Sequence, residues 1–285
     1  MMRSGFIIFT ILLFSNNILG QGSFGPPSNP TYGNVQSDIP QEYYQDANGV
    51  SGEDLKEAIH QIISNHVVFP YTSSSTDTWD ILEQSDQDPA NNDNILLIYT
   101  GRSQDKGYRD GCNCYSNYEN GTHSNSWNRE HVWPKSRGFK KKSQAGYTDL
   151  HHIRPADVDM NSAHSNYGYD EGGVAVLDKL ADGRAVETSA KVDKTGQSFE
   201  PSDRAKGQVA RMIFYMAVRY EAGDDAGAEK MPDLYLKDVN ERTKQPWIGD
   251  LCTLVQWHQK FGVSDFERRR NDRVQELQGN RNPFI

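Results

Sequence analysis

Cysteine and long apolar runs are both scarce in this sequence. Only 3 of the 285 residues are cysteine, which excludes a small scaffold held together by many disulfide bonds. After residue 20 no apolar run approaches the roughly 20 residues that a membrane-spanning helix requires. No repeat of fixed period is visible, and the length suits one large domain or two small ones. A globular chain that buries its own core is the class that remains.

The N-terminal segment differs in composition from the rest of the chain. Arg3 supplies a positive charge, residues 6–14 form a nearly unbroken apolar run, and Gly20 offers a small residue for cleavage. Residues 1–20 are therefore predicted to be a secretory signal peptide, since the apolar run is too short to anchor the chain in a bilayer. Residues 21–50 are polar and rich in Gly, Pro and Ser, which predicts a mobile leader. The protein is expected to be secreted, extracellular or periplasmic, without stable membrane association.

An exported protein can form disulfide bonds, and three cysteines allow one pair and a free thiol. Cys112 and Cys114 are too close in sequence to bridge each other comfortably, so either of them could pair with Cys252. A zinc site at Cys-x-Cys is disfavoured, because no fourth ligand follows at a recognisable spacing. Asn120 begins an Asn-Gly-Thr sequon, which matters only in a host that glycosylates.

The formal net charge of −9 argues against general attraction to polyanions, because phosphate binding draws on positive charge. Residues 128–142 depart from this balance, since Glu130 is their one acidic residue. The basic residues of the stretch are Arg129, Lys135, Arg137, Lys140, Lys141 and Lys142. This stretch predicts either a basic patch at a binding groove or a solvated loop with a run of charge.

Apolar periodicity predicts a mixed α+β fold. The predicted helices cover residues 51–66, a short segment around 79–82, and residues 208–220, 251–261 and 265–278, with Ser51, Asp250 and Ser264 as N-caps. Residues 95–100 predict a buried strand, and residues 174–177 and 184–188 predict a hairpin around a turn at 181–183. We expect a single, mainly helical domain over residues 51–285 with a small sheet.

The middle of the chain predicts strand, strand and helix in succession. Residues 127–134 and 147–155 look extended and each ends in proline, and residues 156–166 begin a short helical stretch. The first segment contains Glu130 and His131. Neighbouring residues of a strand point to opposite faces, so this pair could share a site only through local twist or at a strand end. The dipeptide alone is therefore weak evidence for a site.

Read together, several segments resemble the bacterial endonuclease I and extracellular deoxyribonuclease family. Three of them surround the Glu-His pair: Asn-Arg-Glu-His-Val-Trp-Pro-Lys-Ser at 128–136, Thr-Asp-Leu-His-His-Ile-Arg-Pro at 148–155, and Met-Asn-Ser-Ala-His-Ser-Asn at 160–166. The helix predicted at 208–220 looks like the family's central helix, and residues 263–273 and 278–284 look like its C-terminal signature. The resemblance covers about residues 55–285, and agreement in so many parts is specific.

The resemblance implies both an active-site fold and roles for individual residues. It implies a ββα-metal finger, also called a His-Me finger, at about residues 127–170. It implies that His131 is the general base and that Glu130 and Asn161 bind the metal ion, Mg²⁺, with Ca²⁺ or Mn²⁺ as alternatives. Arg154, or a member of the 135–142 cluster, would hold the phosphate. Cleavage would leave 5′-phosphate and 3′-hydroxyl ends.

These residue types suit hydrolysis of a phosphodiester bond. A histidine with a reference pKa of about 6.5 is neutral at pH 7 and can accept the proton of an attacking water. Magnesium prefers oxygen ligands and keeps several waters, and Glu130 and Asn161 would offer such oxygens. We therefore expect an endonuclease that acts as a monomer on DNA, with RNA as a further substrate, and with little sequence specificity.

An alternative register places the histidine base at His152 and the central asparagine at Asn166, as in the related H-N-H nucleases. That register needs a closing histidine about nine positions later, and the next histidine is His258. The register that begins at Glu130 is therefore preferred. Two other functions are a zinc hydrolase, which lacks a helical His-x-x-x-His spacing, and a secreted binding protein with an inactive site.

Overall fold

The computed structural model describes residues 37–111, 126–179, 184–224 and 227–285. Several predictions lie outside these ranges. They concern the signal peptide, residues 21–36 of the leader, the disulfide candidates Cys112 and Cys114, Asn120, and the turn at 181–183. Cys252 is exposed, and the described residues contain no disulfide bond.

The described residues form six α-helices. These are α1 Gly52–Ser64, α2 Thr78–Ser85, α3 Val158–His164, α4 Asp203–Arg219, α5 Leu251–Lys260 and α6 Asp265–Gln278. The five helices predicted from periodicity are confirmed, with ends shifted by a few residues. Two of the predicted caps are confirmed: Asp250 accepts from the Thr253 amide at 3.2 Å, and Ser264 forms a capping box with Glu267. Ser51 is at the N-cap position of α1, but its side chain makes no capping hydrogen bond. None of these helices is both long enough and apolar enough to cross a bilayer.

Four small sheets accompany the helices in the described ranges. The strands are β1 Gln87–Asp88, β2 Asn91–Leu96, β3 Ser103–Asp105, β4 Trp127–His131, β5 Ile153–Asp157, β6 Gly168–Tyr169, β7 Val174–Lys179, β8 Ala185–Asp193, β9 Ser198–Glu200, β10 Tyr235–Leu236 and β11 Trp247–Ile248. Their sheet orders are β1-β2-β3, β4-β5, β6-β9-β8-β7 and β10-β11. The α+β class is confirmed, whereas a mainly helical domain with one small sheet is not what the structure shows. The predicted strand at 95–100 ends at Leu96, and the predicted hairpin is the antiparallel pair β7 and β8.

The long helix α4 forms the centre of the core. Val209, Ile213 and Met216 are fully buried, and they belong to one apolar cluster with Trp133 of the segment after β4. The helix is buried along most of its length, and its polar residues such as Arg211 and Arg219 are buried with it. The segment that follows β4 thus belongs to the same core as α4.

Strands β4 and β5 pair antiparallel, with Glu130 opposite Arg154 and His131 opposite Ile153. Helix α3 follows β5 directly, because the Asp157 side chain caps it by accepting from the Asp159 and Met160 amides at 2.8 and 3.3 Å. Arg102 in turn donates to Asp157 at 2.6 Å. The predicted succession of strand, strand and helix is observed, and it places the end of β4 beside α3.

Candidate active site

A cavity of about 530 Å³ opens where β4 meets α3. It is lined by Tyr71, Trp79, Asp110, Asn128, Arg129, Glu130, His131, Pro134, Lys135, Ser136, Asn161, Ser165, Asn166 and Arg242. The sequence-predicted base and both predicted metal ligands are among these residues. His131 is the last residue of β4, so the pair Glu130–His131 reaches one cavity at a strand end, where the alternation of side chains no longer separates neighbours.

Glu130 is 3% exposed, and one of its two carboxylate oxygens is held by protein donors. Oε1 accepts a hydrogen bond from the Tyr99 hydroxyl at 2.7 Å and another from Nδ1 of His164. A carboxylate only accepts, so His164 must carry its proton on Nδ1, and its buried Nε2 has no partner within the part of the chain that the structure describes. Oε2 of Glu130 accepts no hydrogen bond from the described residues. The second oxygen is therefore available to the cavity.

Two contacts fix the orientation of the His131 ring. Its Nε2 contacts the carbonyl oxygen of Tyr147 at 2.9 Å, and its ring stacks on Tyr71 with centroids 5.7 Å apart. The carbonyl can only accept, so Nε2 carries the proton and Nδ1 holds the free lone pair. Burial, aided by the charges of His152 and Lys135, holds the pKa of His131 well below its ordinary value. The imidazole is therefore neutral at pH 7.

Asn161 reaches the cavity from α3. Its Nδ2 donates to Oδ1 of Asn128 at 2.7 Å, an arrangement that directs the amide nitrogen toward β4. The Asn161 Oδ1 accepts no hydrogen bond from the described residues. Asn128 lies two residues before Glu130 on β4, and so on the same face of the strand. The sheet thus orients both the carboxylate and the amide.

Carboxylate and amide oxygens, such as those that Glu130 and Asn161 bring to the cavity, are the hard donors that Mg²⁺, Ca²⁺ and Mn²⁺ prefer. Among the described residues, neither a thiol nor a second imidazole, which a zinc site would favour, lines the cavity. The described residues hold one other cluster of ligand types, Asp238, Asp250 and Cys252, whose ligand atoms lie within 4.8 Å of one another. That cluster shares no residue with the cavity.

The predicted basic cluster reaches the cavity only in part. Lys135 lines it, and Nζ of Lys142 lies 5.4 Å from the ring centre of Tyr71 at its edge. Lys141 instead pairs with Glu229 at 2.6 Å. Arg137 is buried, and it donates to backbone carbonyls such as that of Trp247 at 3.0 Å. The basic residues of this stretch therefore lie in three places: at the cavity, on the surface and in the core.

Arg154 does not line the cavity, although it pairs with Glu130 in register. Its side chain is 1% exposed, and Nε donates to Asp86 at 2.6 Å while Nη1 donates to Gln208 at 2.9 Å. Asp86 also accepts from Arg270 at 3.1 Å. The guanidinium is thus engaged in a buried network between β5, α2 and α6.

The histidines of the alternative register are also buried outside the cavity. Nε2 of His152 bonds to the Gly146 carbonyl at 2.7 Å, and Nε2 of His151 bonds to the Asn280 carbonyl at 3.0 Å. Burial is the largest cause that lowers the pKa of each to about 4. Asn166, the central asparagine of that register, does line the cavity. The structure therefore separates His152 from Asn166 and brings His131 together with Asn161.

Comparison with known proteins places the chain in a family. Residues 51–285 match the family Endonuclease I. The chain belongs to the endonuclease I family. It is 42% identical to an extracellular ribonuclease of Bacillus amyloliquefaciens over 244 residues, which cover 85% of this chain and 74% of that protein. An extracellular ribonuclease of Bacillus subtilis (strain 168) is 41% identical over the same shares. An extracellular deoxyribonuclease of Aeromonas hydrophila is 25% identical over 138 residues, 48% of each chain.

Family membership makes nucleic acid the substrate class of this endonuclease I chain and makes it a phosphodiester hydrolase. It also confirms the resemblance stated from the sequence motifs. Sequence reasoning missed the cavity residues that come from distant segments, namely Tyr71, Trp79 and Arg242. No local pattern marks them, because their place in the cavity depends on tertiary packing alone.

Proposed function

We propose that this endonuclease I chain is a secreted endonuclease that requires a divalent metal ion and hydrolyses phosphodiester bonds of DNA and RNA with little sequence specificity. The observation that carries the proposal is the meeting of Glu130, His131 and Asn161 in one cavity, on two antiparallel strands and the helix that follows them. We assign this unit, about residues 127–170, as a ββα-metal finger.

His131 acts as the general base. Its Nδ1 takes a proton from a water molecule, the water oxygen bonds to phosphorus, and the bond to the 3′ oxygen of the preceding sugar breaks, so that charge develops on that leaving oxygen. The hydrogen bond from Nε2 to the Tyr147 carbonyl, 2.9 Å long, keeps the ring in the tautomer that leaves Nδ1 free. Cleavage of the bond between phosphorus and the 3′ oxygen, with a proton from solvent water added to the leaving oxygen, yields 5′-phosphate and 3′-hydroxyl ends.

Glu130 and Asn161 would hold the cation. Mg²⁺, with Ca²⁺ or Mn²⁺ as alternatives, would supply positive charge that stabilises the negative charge of the transition state. The Tyr99 hydroxyl and Nδ1 of His164 fix the Glu130 carboxylate through Oε1, so Oε2 can bind without reorganisation. Arg154 acts indirectly, since its contacts with Asp86 and Gln208 support β5 behind Glu130.

Hydrolysis by water suits both DNA and RNA as substrates. Because water is the attacking group, the reaction does not need a 2′-hydroxyl, and both DNA and RNA can be cleaved. Contacts with phosphates do not distinguish one base sequence from another. The names of the relatives, ribonuclease for two Bacillus proteins and deoxyribonuclease for the Aeromonas protein, agree with a dual substrate. Those names and the signal-like N-terminus support secretion, and we propose a monomer.

The test is cleavage by purified protein of supercoiled plasmid and of single-stranded RNA, with Mg²⁺ and with Mg²⁺ plus a chelator. We expect cleavage of both only with free Mg²⁺, with 5′ ends that accept new phosphate only after phosphatase treatment. His131→Ala should lose activity, and His258→Ala, a histidine outside the cavity, should keep it. Activity restored by Zn²⁺ alone would favour a zinc hydrolase, and no activity under any condition would indicate a binding protein.

A further inference from the structure

Arg242 differs from the other arginines near the cavity. It is exposed, it lines the cavity, and no carboxylate of the described residues lies within ion-pair distance of it. Its Nε donates to Oδ1 of Asn166 at 2.7 Å and its Nη2 contacts Oγ of Ser165 at 3.3 Å. The guanidinium lies 5.3 Å from the ring centre of Tyr167. Neutral groups thus orient a full positive charge, and Nη1 has no hydrogen-bond partner among the described residues.

The other arginines considered for phosphate binding already interact with protein groups. Arg154 pairs with Asp86, and Arg137 donates to backbone carbonyls. Arg129 also lines the cavity, but its guanidinium lies between the rings of Tyr71 and Trp79, at 3.4 and 3.9 Å from their centres. Arg242 has no carboxylate partner among the described residues, and one ring lies 5.3 Å from its guanidinium instead of two rings within 4 Å, so it is the arginine suited to bind a further anion.

Arg242 is also tied to the helix that carries Asn161. Ser165 and Asn166 directly follow α3. The Asn166 side chain is fixed from both ends, because its Nδ2 donates to the Thr243 carbonyl at 3.3 Å while Oδ1 accepts from Arg242. The Asn166 carbonyl accepts from Arg137 at 2.8 Å. The guanidinium is therefore held at a fixed place relative to Asn161.

We propose that Arg242 binds the scissile phosphate of the nucleic acid, a role that rests on the proposed function. Its free N–H groups match the oxygens of a phosphodiester, and an arginine can bind two of them at once. Glu130 and Asn161 bind the cation on the side of β4 and α3, and Arg242 supplies the second positive charge from the loop between β10 and β11. Charge that grows on the phosphate during attack is then stabilised from two directions.

The test compares Arg242→Ala and Arg242→Lys with Lys244→Ala. Lys244 is exposed on the same loop, carries the same charge, and does not line the cavity. Three quantities are measured for each variant: the single-turnover cleavage rate with Mg²⁺, the salt dependence of binding to a single-stranded oligonucleotide in chelator, and Mn²⁺ binding by electron paramagnetic resonance without substrate.

Arg242→Ala should lower the cleavage rate by about 100-fold, as removal of one preorganised donor does. It should also reduce the slope of log affinity against log salt by about 0.7, the value for one phosphate of a single strand. Arg242→Lys should restore the slope and only part of the rate, added guanidinium should partly rescue Arg242→Ala, and Mn²⁺ affinity should stay unchanged in all three.

Equal rates for Arg242→Ala and Lys244→Ala, with active wild type, would overturn this proposal and leave the proposed function intact. Loss of Mn²⁺ affinity in Arg242→Ala would also overturn it, because the residue would then only support α3. A wild type that fails to cleave with Mg²⁺ would instead refute the proposed function.

Discussion

Replacing Arg154 with methionine separates a structural role from a catalytic one. The side chain is 1% exposed and donates to Asp86 and Gln208 at 2.6 and 2.9 Å. Breaking a buried ion pair usually costs about 3–5 kcal/mol, because one charge is left without compensation. Here Asp86 keeps Arg270 as a second partner at 3.1 Å. We therefore expect Arg154→Met to lower the free energy of unfolding by about 3 kcal/mol, the lower end of that range.

Asp86→Asn is the matched variant. It removes the one carboxylate between Arg154 and Arg270, so two buried cations remain without it, and the expected loss is about 5 kcal/mol. Urea unfolding at pH 7 measures both losses, and single-turnover cleavage at 25 °C measures activity in samples shown to be folded. Folded Arg154→Met should cleave within a few-fold of wild type. The reasoning fails if its stability is unchanged and its rate falls 100-fold, since Arg154 would then contact substrate.

Two further predictions concern buried polar groups. Burial lowers the pKa of His151 and His152 to about 4 in the folded protein. Between pH 6.5 and 4 the unfolded chain therefore binds more protons than the folded one. As the pH falls through this range, the free energy of unfolding should decrease by about 1.4 kcal/mol per pH unit for each histidine. Urea unfolding at pH 7, 6 and 5 checks this, and equal stabilities would contradict it. Tyr99→Phe removes a donor that positions Glu130 Oε1. Because loss of a group that orients a metal ligand typically lowers metal affinity about 10- to 100-fold, Mn²⁺ affinity measured by paramagnetic resonance should fall about 10-fold, and unchanged affinity would contradict this.

The helices were predictable because each leaves a periodic apolar stripe. Val209, Ile213 and Met216 follow the helical period along α4, and capping residues such as Ser264 mark where a helix starts. The small sheets were not predictable in the same way. A two-residue strand such as β6 has no periodicity of its own, and its pairing with β9 depends on packing between distant segments.

The residues of the candidate site also differ in whether a local sequence pattern predicts them. Glu130, His131 and Asn161 lie in local motifs, so the sequence predicts them and also their meeting. Arg242 lies 76 positions from its partner Asn166, and no motif of its own surrounds it. Arg154 shows the opposite case, since it belongs to a motif while its contacts are those of a buried structural residue. Motifs identify residues that chemistry needs, whereas the environment of each charge is set by the fold.

The most direct test of the central claim is a magnesium titration of single-turnover cleavage by wild type, His131→Ala and Glu130→Ala, with substrate binding measured separately. If Glu130 binds the cation and His131 is the base, raising Mg²⁺ restores part of the activity of Glu130→Ala. His131→Ala stays about 10² to 10⁴-fold slower at every concentration while still binding substrate. Rescue of His131→Ala by Mg²⁺, or near-normal cleavage by it while His152→Ala is inactive, would contradict the assignment of the base.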